Sequence, residues 1–219
     1  YYFDMDGILQ TGTVIIDKKT YELDTDGSLK DYTPKKKSSK KKSSGKSDTS
    51  DKSGTSTAKK SVALTFDDGP SSFTDRLLDC LEENNAKATF FMVGTEIASF
   101  PDEVKRMKKL GCELGNHTYD HKDLATLSSD EISSEIARVD EQLVNLTGEG
   151  ASVVRPPYGS VNDTVKSTVG TPMILWSIDT LDWKTQDVES TVEEVMNNVK
   201  DGSIILMHDI FSTSVDAAE

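Results

Sequence analysis

Between Pro34 and Lys60 the chain reads PKKKSSKKKSSGKSDTSDKSGTSTAKK, with ten lysines, two aspartates and no large apolar residue. A stretch of this kind cannot bury enough surface to offset the entropy of ordering itself, so residues 34–60 are expected to form a solvated, disordered linker. It divides the chain into residues 1–33 and residues 61–219, and any sizeable core has to come from the second part. Charge divides at the same place. Residues 34–60 carry +8 and residues 1–33 carry −4, which leaves −17 of the overall −13 for residues 61–219. An acidic domain is therefore expected on a basic tether. The tether serves solubility or lies against an anionic polymer of the cell wall.

Composition excludes several classes. With 35% hydrophobic residues the chain has enough apolar material for a core, and disorder throughout is excluded. No apolar run approaches the ~18 residues a membrane-spanning helix needs, so no transmembrane segment is expected in this fragment. The net charge of −13 argues against nucleic acid as a partner, because that recognition relies on Lys and Arg neutralising phosphates. Cys80 and Cys112 are too few for a disulfide scaffold. Two reduced core thiols is the simpler reading, with a single bridge as the alternative. The chain begins at Tyr1 without Met and stops at Glu219 shortly after an apolar strand-like run. Both ends are read as clipped, with a signal peptide upstream and a final helix downstream expected to be lost.

Residues 1–33 repeat with a period of 20: Tyr1, Asp4, Asp6, Gly7 and Leu9 recur as Tyr21, Asp24, Asp26, Gly27 and Leu29. An aromatic-rich strand followed by Asp-x-Asp-Gly predicts a β-hairpin unit with a Gly turn. The pattern resembles the cell-wall-binding repeats of Gram-positive surface proteins. That resemblance implies a wall polymer as partner, and a purely structural hairpin is the other reading.

Residues 61–219 alternate strand and helix. Strands are expected at 61–66, 88–93, 112–114, 152–154, 173–178 and 203–207. Helices are expected at 73–84, 101–110 with Gly111 as its stop, 128–146 and 191–199. In the long helix Ile132, Ile136, Val139, Leu143 and Leu146 share one face. Such alternation predicts an α/β fold, a parallel sheet or barrel covered by helices.

Polar groups gather at the carboxyl ends of these strands, where catalytic groups collect in α/β barrels. The chain's three histidines, His117, His121 and His208, all lie there. His117 and His121 are four apart. In a helical turn they would share a face and could grip one metal ion. Two imidazoles and a carboxylate with open positions suit Zn²⁺ or another divalent ion holding a reactive water. Taken singly, Asp67-Asp68-Gly69-Pro70 could be a tight turn and Arg155-Pro156-Pro157-Tyr158-Gly159 a rigid loop.

Their order carries more than either does alone. TFDDGP at 65–70, HTYDH at 117–121, RPPYG at 155–159, DTLDW at 179–183 and LMH at 206–208 resemble the five motifs of the polysaccharide deacetylases of the NodB-homology type (carbohydrate esterase family 4). The resemblance spans nearly all of residues 61–219. It implies a distorted (β/α) barrel and hydrolysis of N-acetyl groups from N-acetylglucosamine in a polymer. Asp68, His117 and His121 are implied as ligands of one divalent metal ion, Zn²⁺ first, with Co²⁺ or Mn²⁺ as alternatives. Asp67 is implied as the general base, with Arg155 pairing with it. The backbone N–H of Tyr158 would stabilise the oxyanion, and His208, held charged by Asp182, would be the general acid. Pro156, Tyr158, Trp183 and Leu206 would contact substrate, the last two walling the acetyl pocket or simply packing. Peptidoglycan is the expected substrate, given the wall-binding-like repeats and basic tether, and the expected location is extracellular, secreted or associated with the wall of a Gram-positive-type bacterium. Chitooligosaccharide deacetylation, acetylxylan O-ester hydrolysis on the same site, and a non-catalytic wall-binding protein are the alternatives.

Overall fold

The computed structural model describes residues 60–219 in full, and the backbone of residues 12–16 and 19–23. The basic run, the Asp-x-Asp-Gly turns and most of the repeat lie outside the described residues. In the N-terminal unit, β1 (Gly12–Ile16) pairs antiparallel with β2 (Lys19–Leu23), with Gly12 opposite Leu23 and Ile16 opposite Lys19.

The second unit is a parallel α/β fold. Six strands, β3 (Ala63–Asp67), β4 (Thr89–Met92), β5 (Glu113–Asn116), β6 (Val153–Val154), β7 (Ile178–Asp179) and β8 (Ile204–His208), form one sheet in the order β6-β5-β4-β3-β8-β7. Every described neighbour pair in it is parallel. The sheet turns back on itself through the segment that ends in β7. Val154 N–H donates to Pro172 C=O, Ile174 N–H donates to Val154 C=O, and a parallel bridge joins Val154 to Met173. Further along the same segment, Ile178 pairs with Ile205 of β8. One stretch of chain thus bonds to both edges of the sheet, which makes a barrel with a gap. The strand expected at 173–178 is accordingly broken: only Met173 and then Ile178–Asp179 join ladders.

Helix boundaries follow local chemistry. The helix α1 (Thr74–Glu83) buries Thr74, Leu77, Leu78 and Leu81. A short α2 (Gly94–Ile97) follows β4. Pro101 occupies the first turn of α3 (Pro101–Leu110), and Gly111 ends it with a left-handed φ of 76°, a conformation that suits a residue without Cβ. Ser128 and Glu131 form a capping box at the start of α4 (Ser129–Thr147). The remaining helices are α5 (Asp163–Thr168), α6 (Asp182–Thr185), α7 (Val188–Asn198) and α8 (Ser212–Ala218). The sequence reading missed α2, α5 and α6, each of one to two turns. After β8, where the sequence reading expected a final helix cut off at the chain end, α8 forms, and Arg76 of α1 pairs with its Asp216 at 2.6 Å.

The main core lies between the sheet and α1, α3 and α4, around Phe66, Phe90, Met92, Leu78, Met107 and Leu143. A second cluster of Leu124, Ile132, Val154, Val165 and Val169 anchors the loops beyond β5 and β6. Cys80 and Cys112 are free thiols. Among the described residues no helix is long and apolar enough to cross a membrane.

Candidate active site

The carboxyl ends of β3, β5 and β8 converge on one cleft of about 380 Å³. Asp67, Asp68, His117, His121, Tyr158, Trp183, Leu206 and His208 line it, together with Trp176 and Asp179. Asp67 is the last residue of β3 and Asp68 the first beyond it, in the left-handed region at φ 71°. That reversal lets two adjacent carboxylates face the same space, which extended backbone would point to opposite sides.

Three groups are placed to hold a cation. Ligand atoms of Asp68, His117 and His121 all lie within 4.8 Å of one another. Asp68 Oδ1 is 3.4 Å from His117 Nε2 and 3.2 Å from His121 Nε2. The His117 Nδ1 is 2.6 Å from the Arg155 carbonyl oxygen. A carbonyl can only accept, so Nδ1 carries the proton and Nε2 presents its lone pair to the cleft. Asp68 Oδ1 is buried and has no hydrogen-bond partner, which is costly unless a cation sits beside it. Burial pushes the Asp68 carboxyl up, but without an ion protonated His117 and His121 outweigh this and hold it well below the usual carboxylate range; a bound cation would take over that role as the imidazoles turn their lone pairs to it. The donor set fits a divalent ion of the zinc class.

The expected helical turn at His117–His121 does not form. The segment is a loop with left-handed residues at Thr118 (φ 68°) and His121 (φ 54°). Its carbonyls are taken from outside: Thr118 C=O accepts from Gly94 N–H and Tyr119 C=O from Thr95 N–H. The two imidazoles still come together, with ring centroids 4.9 Å apart.

Behind the cleft, Arg155 is fully buried. Its Nη1 donates to Asp67 Oδ1 at 2.6 Å and to Thr65 Oγ1 at 2.8 Å. Its Nε and Nη2 donate to the carbonyls of Ile174 and Leu175, each at 3.0 Å. Those carbonyls belong to the stretch where the closing strand leaves the ladder, so the gap in the barrel is what satisfies the guanidinium. Across the cleft, His208 Nδ1 is 2.8 Å from Asp182 Oδ1, and the His208 backbone N–H donates to Asp182 Oδ2 at 2.8 Å. Burial pulls the His208 imidazole down, and Asp182 more than reverses this, so the net shift is upward.

The other expected residues are less uniform. Tyr158 has left-handed backbone at φ 61°, is 70% exposed and sets its ring 4.9 Å from that of His121. Trp183 is half-exposed at the rim and Leu206 is buried in the wall. Pro156 is buried and does not line the cleft. Its extended backbone caps the short 3-10 turn at Pro157–Gly159, with φ −61° and ψ 132°. The sequence reading did not assign Trp176 or Asp179 to the site. Asp179 opens the DTLDW motif and Trp176 stands three residues before it, so the strand end that carries a recognised motif is the signal that would have found them.

Comparison with known proteins agrees with this geometry. The family model described as polysaccharide deacetylase matches residues 54–171. The peptidoglycan-N-acetylglucosamine deacetylase PgdA of Listeria monocytogenes serotype 1/2a (strain 10403S) is 42% identical over 156 residues, 71% of this chain and 34% of that protein. The peptidoglycan-N-acetylmuramic acid deacetylase PdaC of Bacillus subtilis (strain 168) is 40% identical over 162 residues, covering 74% of this chain and 35% of PdaC. The chain thus spans about a third of the length of these curated relatives. The solved structure of peptidoglycan deacetylase PdaC from Bacillus subtilis superposes with a TM-score of 0.71 at 41% identity, over 73% of this chain and 79% of that one. By its fold, its motifs and these matches, the chain belongs to the polysaccharide deacetylase family.

Proposed function

We propose that this chain removes N-acetyl groups from N-acetylglucosamine residues of peptidoglycan, releasing acetate. One observation carries the reading. The Asp68, His117 and His121 ligand set, the Arg155–Asp67 pair and the Asp182–His208 pair all face one cleft, with a proton acceptor and a proton donor on opposite sides.

Asp68, His117 and His121 would hold the metal, Zn²⁺ before Co²⁺ or Mn²⁺. When bound, the ion supplies Lewis acidity toward the acetamide carbonyl and lowers the pKa of water. The chain's own groups do the rest. Arg155 fixes Asp67, which takes a proton from water as the oxygen adds to the acetamide carbon. The Tyr158 backbone N–H donates to the developing oxyanion. His208, kept protonated by Asp182, gives its proton to the sugar nitrogen as the C–N bond breaks, so acetate and a free amine leave. Leu206 and Trp183 wall the space for the acetyl methyl.

The names of the relatives support peptidoglycan as substrate, and the basic run at 34–60 suits an anionic wall polymer as a further partner. Both support an extracellular, wall-associated location. Acetate release is the test, with peptidoglycan, chitooligosaccharide and acetylxylan in parallel, on metal-stripped protein and again after adding Zn²⁺ or Co²⁺. Metal-dependent release from peptidoglycan is expected, and mass spectrometry of a muramidase digest should place the free amine on glucosamine. Release from muramic acid, from chitooligosaccharide or from acetylxylan alone would overturn the substrate assignment. No release from any of them would overturn the reaction.

A further inference from the structure

Glu135 lies outside the cleft and in none of the five motifs, yet it is a carboxylate only 3% exposed on the inner face of α4. Its Oε2 accepts from the backbone N–H groups of Tyr119, at 3.0 Å, and Asp120, at 2.9 Å. Its Oε1 accepts from Lys122 Nζ at 2.9 Å. These three donors all belong to the loop that carries His117 and His121. Neither amide donates to a backbone carbonyl among the described residues. The left-handed residues Thr118 and His121 turn the loop away from regular backbone pairing, and a part-buried amide left without an acceptor is costly. Glu135, sixteen residues further along the chain, supplies both acceptors from one oxygen.

The same loop is gripped from two other sides. A Cβ on Gly94 would come within 2.4 Å of Tyr119 Cδ2, so α2 packs directly on the Tyr119 ring. Arg138, one turn beyond Glu135 on α4, lies over the same ring. Asn116, just before the loop, donates to the Ile136 carbonyl and to Asp140 Oδ1 of that helix. Helix α4 therefore holds the loop at both of its ends, and Glu135 is the charged member of that hold.

We propose that Glu135 is a positioning residue for the metal site. It fixes the amides between the two histidines, and so sets the approach of His121 Nε2 to Asp68 Oδ1. Glu135 touches neither the ion nor the substrate. The inference rests on the reading of Asp68, His117 and His121 as metal ligands. Outer groups that orient metal ligands cost about 10- to 100-fold in metal affinity when removed.

The experiment measures Zn²⁺ affinity by competition with a chromophoric chelator for wild type, Glu135→Gln, Glu135→Asp and Glu135→Ala. Apo-protein melting temperature and the split between kcat and KM at saturating Zn²⁺ are read on the same samples. The expected result is Zn²⁺ binding weakened about 10- to 100-fold in Glu135→Ala. Glu135→Gln should lie between it and wild type, because its single oxygen can serve the amides while its NH₂ faces Lys122. Glu135→Asp, one methylene short, should fall on the Ala side. KM for glycan should stay unchanged. Zn²⁺ affinity within twofold of wild type in all three variants, with only the melting temperature lowered, would reduce Glu135 to a structural cap and sink the proposal. Failure of wild type itself to bind Zn²⁺ would overturn the metal site, and the inference with it.

Discussion

Asp67 and Arg155 are 88 residues apart in the chain, and their side chains meet at 2.6 Å with both buried. The guanidinium commits three further donors to Thr65 and to two carbonyls, so it is held against Asp67 and cannot swing away. Asp67 is thereby held with one oxygen on Arg155 and the other, Oδ2, facing His117 Nε2 at 3.6 Å. A base so fixed should be needed for turnover and dispensable for metal binding. Asp67→Asn is expected to lower acetate release by about 10²- to 10⁴-fold while Zn²⁺ affinity changes little. Near-native rates in that variant would remove Asp67 as the base. Arg155→Met should instead lower stability by about 3–5 kcal/mol, since it strands a buried charge, and urea unfolding would read it.

Asp182 and His208 make the second pair, and its consequence lies in pH. Burial alone would lower the His208 pKa, but the hydrogen bond and charge of Asp182 raise it overall. A general acid must be protonated at the start of the step, so a raised pKa extends activity toward alkaline pH. Asp182→Asn removes the charge and keeps an acceptor for the His208 backbone N–H. The alkaline limb of kcat/KM should then move to lower pH. A limb unmoved in this variant would mean that another group sets it. His208→Ala should cost about 10²- to 10⁴-fold on the amide and less on an activated ester whose leaving group needs no proton.

Much of this was legible in the sequence, for a local reason. Strand ends in the catalytic region are punctuated by Asp-Asp-Gly-Pro, Gly-Asn-His and Arg-Pro-Pro, so chemistry and chain reversal share the same residues. What was not legible depends on distant partners. The His117–His121 spacing reads as a helical turn, and only the amide acceptor on α4 and the contacts from α2 make it a loop. The strand at 173–178 reads as continuous, and its break is set by Arg155, which takes the carbonyls of Ile174 and Leu175. Glu135 did leave a trace. It stands three residues after Ile132 and four before Val139, on the apolar face of its helix, where an acid is out of place without a partner.

Metal binding should appear as stability. Asp68 Oδ1 has no partner among the described residues, and the two imidazoles converge on it. An ion that binds only the folded chain at 100 times its Kd adds about 2.7 kcal/mol. For a domain of this size that is roughly 5–10 °C in Tm. Adding Zn²⁺ to stripped protein should raise the melting temperature by that order, and EDTA should reverse it. His121→Ala should abolish the rise. An equal rise in that variant would place the ion elsewhere.

Asp209 follows His208 and is fully buried behind the Asp67-Asp68-Gly69 turn. Its Oδ2 accepts from Thr74 Oγ1, and its backbone carbonyl from Ser71 Oγ. The other oxygen, Oδ1, has no partner and sits where a Gly69 Cβ would go, 2.1 Å away. Burial pushes this carboxyl up to about 7 from an ordinary 3.8, with Asp68 and Asp67 adding to the rise. Between those two values the unfolded chain has lost the proton and the folded chain keeps it. Stability of the metal-free protein should therefore fall as pH rises from about 4 to about 7, by as much as ~4 kcal/mol at about 1.36 kcal/mol per unit. Asp209→Asn keeps an acceptor for Thr74 and has no proton to lose. Urea unfolding of stripped wild type and Asp209→Asn across this range should give curves that converge toward pH 4 and separate toward pH 7, with the variant gaining. Parallel curves would mean that Asp209 does not titrate in this window.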